Sequence, residues 1–161
     1  MPGDIFEQLS IFQDLSPAQI ELLRPMFVPC DHNTGSMLFE QGDPAVYLYL
    51  VIGGEVTIRY KPDDGPPITV SRVHSGGVVG WSAILGNRQY TSGAICTDYT
   101  QMLRVNGRDI RSLCEEQPET GILLLERLAW VIAERLRNTH EQVIELLKQG
   151  MHIGIPSLKE A

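Results

Sequence analysis

Along the chain the apolar positions change their period twice, and the changes divide it into three parts. Between residues 4 and 28 the pattern is helical. In SPAQIELLRPMF the apolar Ile20, Leu22, Leu23 and Met26 make a short amphipathic face. Asp4 and Ser16 stand where helix caps are wanted, and Pro17 takes the first-turn position that tolerates a missing N–H. Pro25 and Pro29 interrupt the face, which predicts a small helical cap rather than a rod.

From about residue 28 to 106 the texture becomes that of strands. SMLFEQGD, YLYLVIGGEVTIRY, PITVSRVHSG, YTSGAICTD and QMLRVNG each predict one or two strands closed by a turn. In VTIRY, Val56, Ile58 and Tyr60 alternate with Thr57 and Arg59, the pattern of a half-buried antiparallel strand. Gly42, Gly53 and Gly54 stand where tight turns call for positive φ. Tyr47, Leu48 and Leu50 are expected to fill a barrel interior and its rim. Many short strands without an internal repeat predict a barrel or jelly roll.

After Gly107 the helical period returns. Arg108 to Glu116 predicts a short helix ending before Pro118. From Pro118 to about Gln149, Leu125, Ala129, Ile132, Leu136, Thr139, Val143 and Leu146 follow one another at spacings 4, 3, 4, 3, 4, 3. That is a heptad seam. A small β domain buries only part of it, so the rest calls for a partner, most simply a second copy of the chain. The bland alternative is a helix packed wholly on its own barrel. Gly150 is expected to end the helix and leave residues 150–161 as a flexible tail, with one domain over residues 1–149.

Composition narrows the function classes. The chain has 161 residues, enough for one domain with a real core. With 43% apolar and 20% charged residues it is expected to be globular and soluble. A formal net charge of −7 is a poor footprint for nucleic acid, whose phosphates require clustered Lys and Arg. Cys30, Cys96 and Cys114 lie far apart with no ligand spacing, as expected of reduced thiols in a cytoplasm. The N-terminus lacks a signal-peptide pattern, and no apolar run is long enough to span a membrane. His32, His74, His140 and His152 show no metal-ligand spacing, and Asp63-Asp64 faces no second carboxylate. No catalytic residue and no metal ligand is assigned, and a non-enzymatic protein is expected.

A helical cap, a β-roll with a Gly-centred loop near its end and a long seam helix, in this order, resemble the cyclic-nucleotide-binding domain family. Gly35-Ser36-Met37-Leu38-Phe39 with Gln41-Gly42-Asp43 is similar to that family's G-x-x-L/I-x-x-Q-G-D/E hairpin. Tyr47 to Ile52 followed by Gly54-Glu55-Val56 resembles its Y-x-I/V-x-x-G-x-V strand pair. Arg135 to Val143 resembles the R-L-x-x-T-S-E-K-V dimer helix of the catabolite-activator branch, which also includes Fnr-like effector domains. The resemblance covers roughly residues 20 to 147. It implies a mainly β fold with α: a double-stranded β-helix, or jelly roll, over about 28–106. A helical N-terminal cap and a dimerisation helix over about 118–149 complete it. It also implies a sensor with cAMP or cGMP as ligand and no resident cofactor. Family members that act on DNA continue into a helix-turn-helix. No recognition helix fits the residues past the seam, so DNA binding is not expected of this chain.

The family's phosphate cassette reads roughly G-E-x-A-L-L-x-x-x-P-R-A/T-A-T, and here GWSAILGNRQYT falls on it. Gly80 matches the glycine, Ala83 the alanine, and Ile84-Leu85 the apolar pair. Trp81 replaces the ribose-binding glutamate and Tyr90 the phosphate-binding arginine. Ser82 and Thr91 add hydroxyls, and Arg88 lies two positions before the family's arginine. Three readings stand open. Arg88 enters the site and a cyclic nucleotide still binds weakly; Trp81 and Tyr90 form a stacking pocket for another small molecule; or both rings fill the cavity and the module is a ligand-free dimer or an interaction surface for another protein. In the family, the position of Thr139 contacts the base and that of His140 reaches the partner's ligand. Thr139 is equally a polar seam residue that fixes register, and His140 equally a solvent-facing one.

Overall fold

In the computed structural model, which describes residues 6, 8–86 and 88–154, a two-sheet β-roll is flanked by helices on both sides in sequence. Ser16 opens helix α1 (Pro17–Leu23) with a capping box: its side chain accepts from the Gln19 N–H, while the Gln19 side chain accepts from the Ser16 N–H. Single 3-10 turns at Ser10–Phe12 and Arg24–Met26 complete the cap, so Pro25 tightens the helix end rather than breaking a longer one. The cap expected at Asp4 lies outside the described residues.

The strands are β1 (Val28–His32), β2 (Met37–Phe39), β3 (Tyr47–Gly53), β4 (Val56–Tyr60), β5 (Ile68–Val73), β6 (Val78–Val79), β7 (Gly93–Cys96) and β8 (Thr100–Asn106). They form two antiparallel four-stranded sheets, ordered β1-β8-β3-β6 and β2-β7-β4-β5. This is the jelly roll that the sequence pattern predicts.

The two sheets produce two cores. Inside the roll, Phe39, Tyr49, Val51, Val56, Val79, Tyr90 and Met102 meet. On the outer face of the first sheet, Leu48, Leu50, Val78, Leu103 and Val105 meet the helices through Phe12, Leu23, Ile110, Leu124 and Leu128. Leu48 and Leu50 therefore do not fill the barrel interior, as the sequence suggested. Strand β3 is buried on both faces, and the period of two sends Tyr49 and Val51 inward and its even-numbered neighbours to the helices.

Two further expectations are corrected. In β4, Thr57 is buried and Tyr60 exposed, so burial follows position along the strand rather than face. The Thr57 hydroxyl is satisfied by Thr97, at 2.9 Å. Gly42 and Gly54 take φ of 92° and 99°, whereas Gly53 simply ends β3. A Cβ on Gly54 would stand 2.3 Å from the Tyr99 carbonyl oxygen, so only glycine fits this turn.

Helix α2 (Gly107–Glu116) is capped by the Asn106 side chain, which accepts from the Arg108 N–H. Helix α3 runs from Pro118 to Gly154, 37 residues, and passes through Gly150 rather than ending there. One internal glycine costs a helix only about 1 kcal/mol, too little to stop it. Among the described residues, no helix is long and apolar enough to cross a membrane.

The first half of α3 is bound to the rest of the fold. Leu124 and Leu128 are buried in the helix-side core. Arg127 donates to the carbonyl oxygens of Ile11 and Gln13, at 3.0 and 2.5 Å. Further on, Leu136, Val143, Leu146, Leu147 and Met151 are exposed.

Candidate functional site

The 80–91 loop is built on a left-handed glycine. Gly80 takes φ 80° and ψ 30° and opens a 3-10 helix over Trp81–Leu85. A Cβ there would stand 2.9 Å from the Tyr47 carbonyl oxygen and 3.3 Å from the Phe39 ring, so both the turn and the close approach demand glycine. Ala83 is buried, Ser82 and Trp81 are half-buried, and Leu85 is exposed.

Helix α2 holds the other end of this short helix. The Arg111 guanidinium donates to the Ala83 carbonyl oxygen at 2.9 Å and to that of Ile84 at 3.3 Å. Carbonyls in the last turn of a helix call for a donor, and a cation there also suits the helix dipole. Gly107 permits the approach, since a Cβ on it would lie 1.9 Å from the Ala83 oxygen. The loop and α2 are thereby joined.

Tyr90 is pinned from every side. Its N–H donates to the Asp43 carbonyl at 2.9 Å, and its own carbonyl accepts from the Gly42 N–H at 2.8 Å. Its ring stacks on Phe39 at 3.6 Å between centroids with planes 12° apart. Its hydroxyl donates to the Tyr47 carbonyl at 2.6 Å and accepts from the Tyr47 N–H at 3.1 Å. Burial raises the phenol pKa above its usual value, and the backbone hydrogen bonds from Tyr47 pull the other way. The group stays a neutral phenol at physiological pH.

The remaining residues singled out from the sequence fall in different places. Arg88 and Thr91 are exposed, and the Arg88 carbonyl accepts from the Ala45 N–H. Trp81 packs against the helix-side core, whereas Tyr90 belongs to the interior core. The two aromatic replacements therefore occupy separate cores and do not share one pocket. His140 lies exposed on α3, and the Thr139 side chain lies outside the described set.

Sequence reasoning gave no role at the loop to four residues that shape the region: Phe39, Tyr47, Arg111 and Arg135. Phe39 and Tyr47 sat in the quoted hairpin and strand motifs, and Arg135 opens the quoted helix motif. Arg111 carried no local signal at all. Arg135 donates from α3 to the Val78 carbonyl on β6 at 2.7 Å, and burial lowers its pKa without discharging it. Among the described residues, no three or more His, Cys, Asp or Glu side chains come together as a metal site.

Comparison with known proteins agrees with this architecture. The cyclic nucleotide-binding domain model matches residues 31–117. The chain belongs to the cyclic nucleotide-binding domain family. A CRP-like cAMP-activated global transcriptional regulator of Mycobacterium tuberculosis is 27% identical over 144 residues, 89% of this chain and 62% of that protein. The crystal structure of the Thermus thermophilus catabolite activator protein is 26% identical with a TM-score of 0.66, covering 86% of this chain and 62% of that one. A cyclic nucleotide-binding domain from Methylobacillus flagellatus, 20% identical, shares the fold with a TM-score of 0.76 over 88% of this chain and 80% of that one. The chain thus spans less than two thirds of the length of the M. tuberculosis and T. thermophilus proteins.

Proposed function

We propose that this chain is a non-enzymatic, cytoplasmic regulatory module, homodimeric through α3, whose β-roll takes cAMP or cGMP weakly because Tyr90 stands where the family's phosphate-binding arginine belongs. The pinning of Tyr90 carries the reading. A residue held by two backbone hydrogen bonds, a ring stack and a doubly bonded hydroxyl does not swing aside for an anion. A phenol that already donates its one proton to Tyr47 offers a phosphate neither charge nor donor. Losing a charge-assisted pair costs about 1.5–3 kcal/mol, a factor of ten or more in affinity. What remains for a phosphate is the backbone of Gly80 to Ala83, the Ser82 hydroxyl, and Arg88 and Thr91 at the surface.

The relative from M. tuberculosis is described as cAMP-activated and as a transcriptional regulator. We carry over the sensing role and assign no nucleic-acid contact to this stretch, whose net charge is −7. In this proposal the α3 seam pairs with a second copy, and the family's base contact and partner-ligand contact are carried over to the positions of Thr139 and His140. Ligand occupancy reaches the seam through Arg111, which joins the loop to α2, and Arg135, which joins β6 to α3. A ligand shifts such a path only by binding its two states unequally.

The Phe39–Tyr90 stack also favours a second reading, a ligand-free dimer module that presents itself to another protein. Calorimetry with cAMP and cGMP on the wild type and on Tyr90→Arg separates the two. The sensor predicts a dissociation constant on the order of 1 mM for the wild type and a gain of at least about tenfold in the variant. Micromolar binding by the wild type overturns the assignment of Tyr90. Absence of binding in both proteins selects the ligand-free module.

A further inference from the structure

Past its contacts with the roll, α3 carries two apolar stripes. The first is the seam, which Val143 and Leu146 continue, both exposed. The second consists of Ile144, Leu147 and Met151, spaced 3 and 4, and all three are exposed as well, Leu147 at 59% and Met151 at 58%. At 3.6 residues per turn the two stripes are centred about 100° apart and together make an apolar face about 160° wide. Glu141, Glu145 and Lys148 all fall outside it. A strict two-stranded seam covers a narrower stripe than this. Pairing of α3 through the seam therefore leaves Ile144 and Met151 in water.

The order of residues along the second stripe points to its occupant. His140, Ile144, Leu147 and Met151 follow one another at spacings 4, 3 and 4, which read the same from either end. A copy of the helix running the opposite way sets Ile144 against Leu147, Leu147 against Ile144, and Met151 against His140. A surface that complements itself about a two-fold axis is suited to an isologous contact. The charge at its rim favours the same direction. In the antiparallel pair Lys148 falls two positions, about 3 Å along the axis, from the Glu141 of the other copy. In a parallel pair each Lys148 would stand beside its own counterpart, as would each Glu141. Carried back toward the roll, the same spacing meets Arg137, Ala133, Trp130 and Glu126, a mixed run, so the apolar stripe is confined to the stretch beyond the roll. Antiparallel helices that overlap there keep their rolls at opposite ends.

We propose that this second stripe is an interface between copies of the chain, through which two seam-paired dimers join tail to tail into a tetramer. The proposal rests on the seam pairing described above. Each α3 stands at a corner of a four-helix bundle, with a parallel neighbour on the seam and an antiparallel one on Ile144, Leu147 and Met151. Stripes about 100° apart match the near right angle between the two neighbours of a corner helix. Two perpendicular two-fold axes close the assembly, so it does not grow into a filament.

Sedimentation of the full chain over a range of concentrations tests it. The wild type is expected to be a tetramer that dissociates to a dimer on dilution. Ile144→Glu and Met151→Glu lie on the side of the stripe away from the seam, at exposed positions where folding is not at stake. Each is expected to hold the protein at the dimer, with the circular dichroism of the helix retained. Lys148→Glu is expected to weaken the tetramer about threefold or more, the scale of a rim ion pair repeated by symmetry, and Glu141→Lys added to it to restore the assembly. A wild type that stays dimeric at every concentration overturns the tetramer and leaves the seam dimer standing, whereas a monomer removes both. A tetramer that survives Ile144→Glu and Met151→Glu overturns this surface. A tetramer that Lys148→Glu tightens overturns the antiparallel pairing.

Discussion

The Arg135 guanidinium lies 2.7 Å from the carbonyl oxygen of Val78, and this bond ties the seam helix to the edge strand of the first sheet. Burial of the cation makes the contact expensive to break, because a carbonyl deprived of its donor keeps its own desolvation cost. Arg135→Met keeps much of the packing and removes the donor. It is expected to lose about 1–3 kcal/mol in urea denaturation and to speed amide exchange in α3 around residues 131–138. Unchanged exchange there means that α3 is held by its apolar face alone.

Tyr90 gives a graded series. Tyr90→Phe keeps the stack on Phe39 but strips the Tyr47 carbonyl and N–H of their partner. The expected loss is about 1–3 kcal/mol. Tyr90→Ala also opens a cavity in the interior core and is expected to lose about 3–5 kcal/mol. Thermal and urea unfolding of both variants checks the order; equal losses would mean that the hydroxyl bonds contribute little.

Gly107→Ala places a methyl group where the Ala83 carbonyl now sits. The 3-10 helix at Trp81–Leu85 must move, taking the Arg111 contacts with it. We expect a loss of about 1–3 kcal/mol, the usual cost of overpacking, together with a displaced Trp81 fluorescence maximum. An unmoved maximum would show that the loop and α2 are not mechanically joined.

The seam is tested at two exposed apolar positions. Leu136→Glu and Val143→Glu each place a charge where the proposed dimer buries a side chain, and both residues are exposed in the single chain. Sedimentation is expected to shift toward monomer with the circular dichroism of the roll retained. A wild type that is monomeric at high concentration removes the dimer from the proposal.

Glu55 makes stability depend on pH in a defined direction. The Thr97 hydroxyl and then His74 hold its carboxyl below the usual glutamate value of about 4.5. A group whose folded pKa is depressed stabilises the fold above its unfolded pKa, and that contribution fades as pH falls through the folded value. Wild type minus Glu55→Gln is therefore expected to be largest above about pH 4.5 and to shrink toward zero below it. Urea midpoints between about pH 6 and 3 measure it; parallel curves would show that Glu55 is unperturbed.

Much of this molecule was legible in the residues because its signals are local. Strand runs, the Gly42 and Gly54 turns and the Ser16 cap each act within a few positions, and each is present in the fold. The facing of β3 was misread because a strand buried on both sides gives no alternation to read. Gly150 was misread as a stop because its cost is small against the rest of a long helix. At the loop, the resemblance sets Trp81 and Tyr90 where the family carries a glutamate and an arginine. It does not show that the two rings enter different cores, since that depends on Phe39, Tyr47 and the helix-side cluster, none of them adjacent in the chain. Arg111 escaped notice for the same reason. Its partners are 27 and 28 positions away.

Helix α3 continues through 139–154, past its contacts with the roll, for roughly 24 Å at the usual rise per residue. That stretch behaves as a shaft. A group carried at Gly154 stands off from the β-roll by that distance, and its bearing is fixed by the residue count. Adding or deleting one residue in the shaft turns the exit by about 100° while changing the reach by only about 1.5 Å. The length of this helix is therefore a setting of direction far more than of distance.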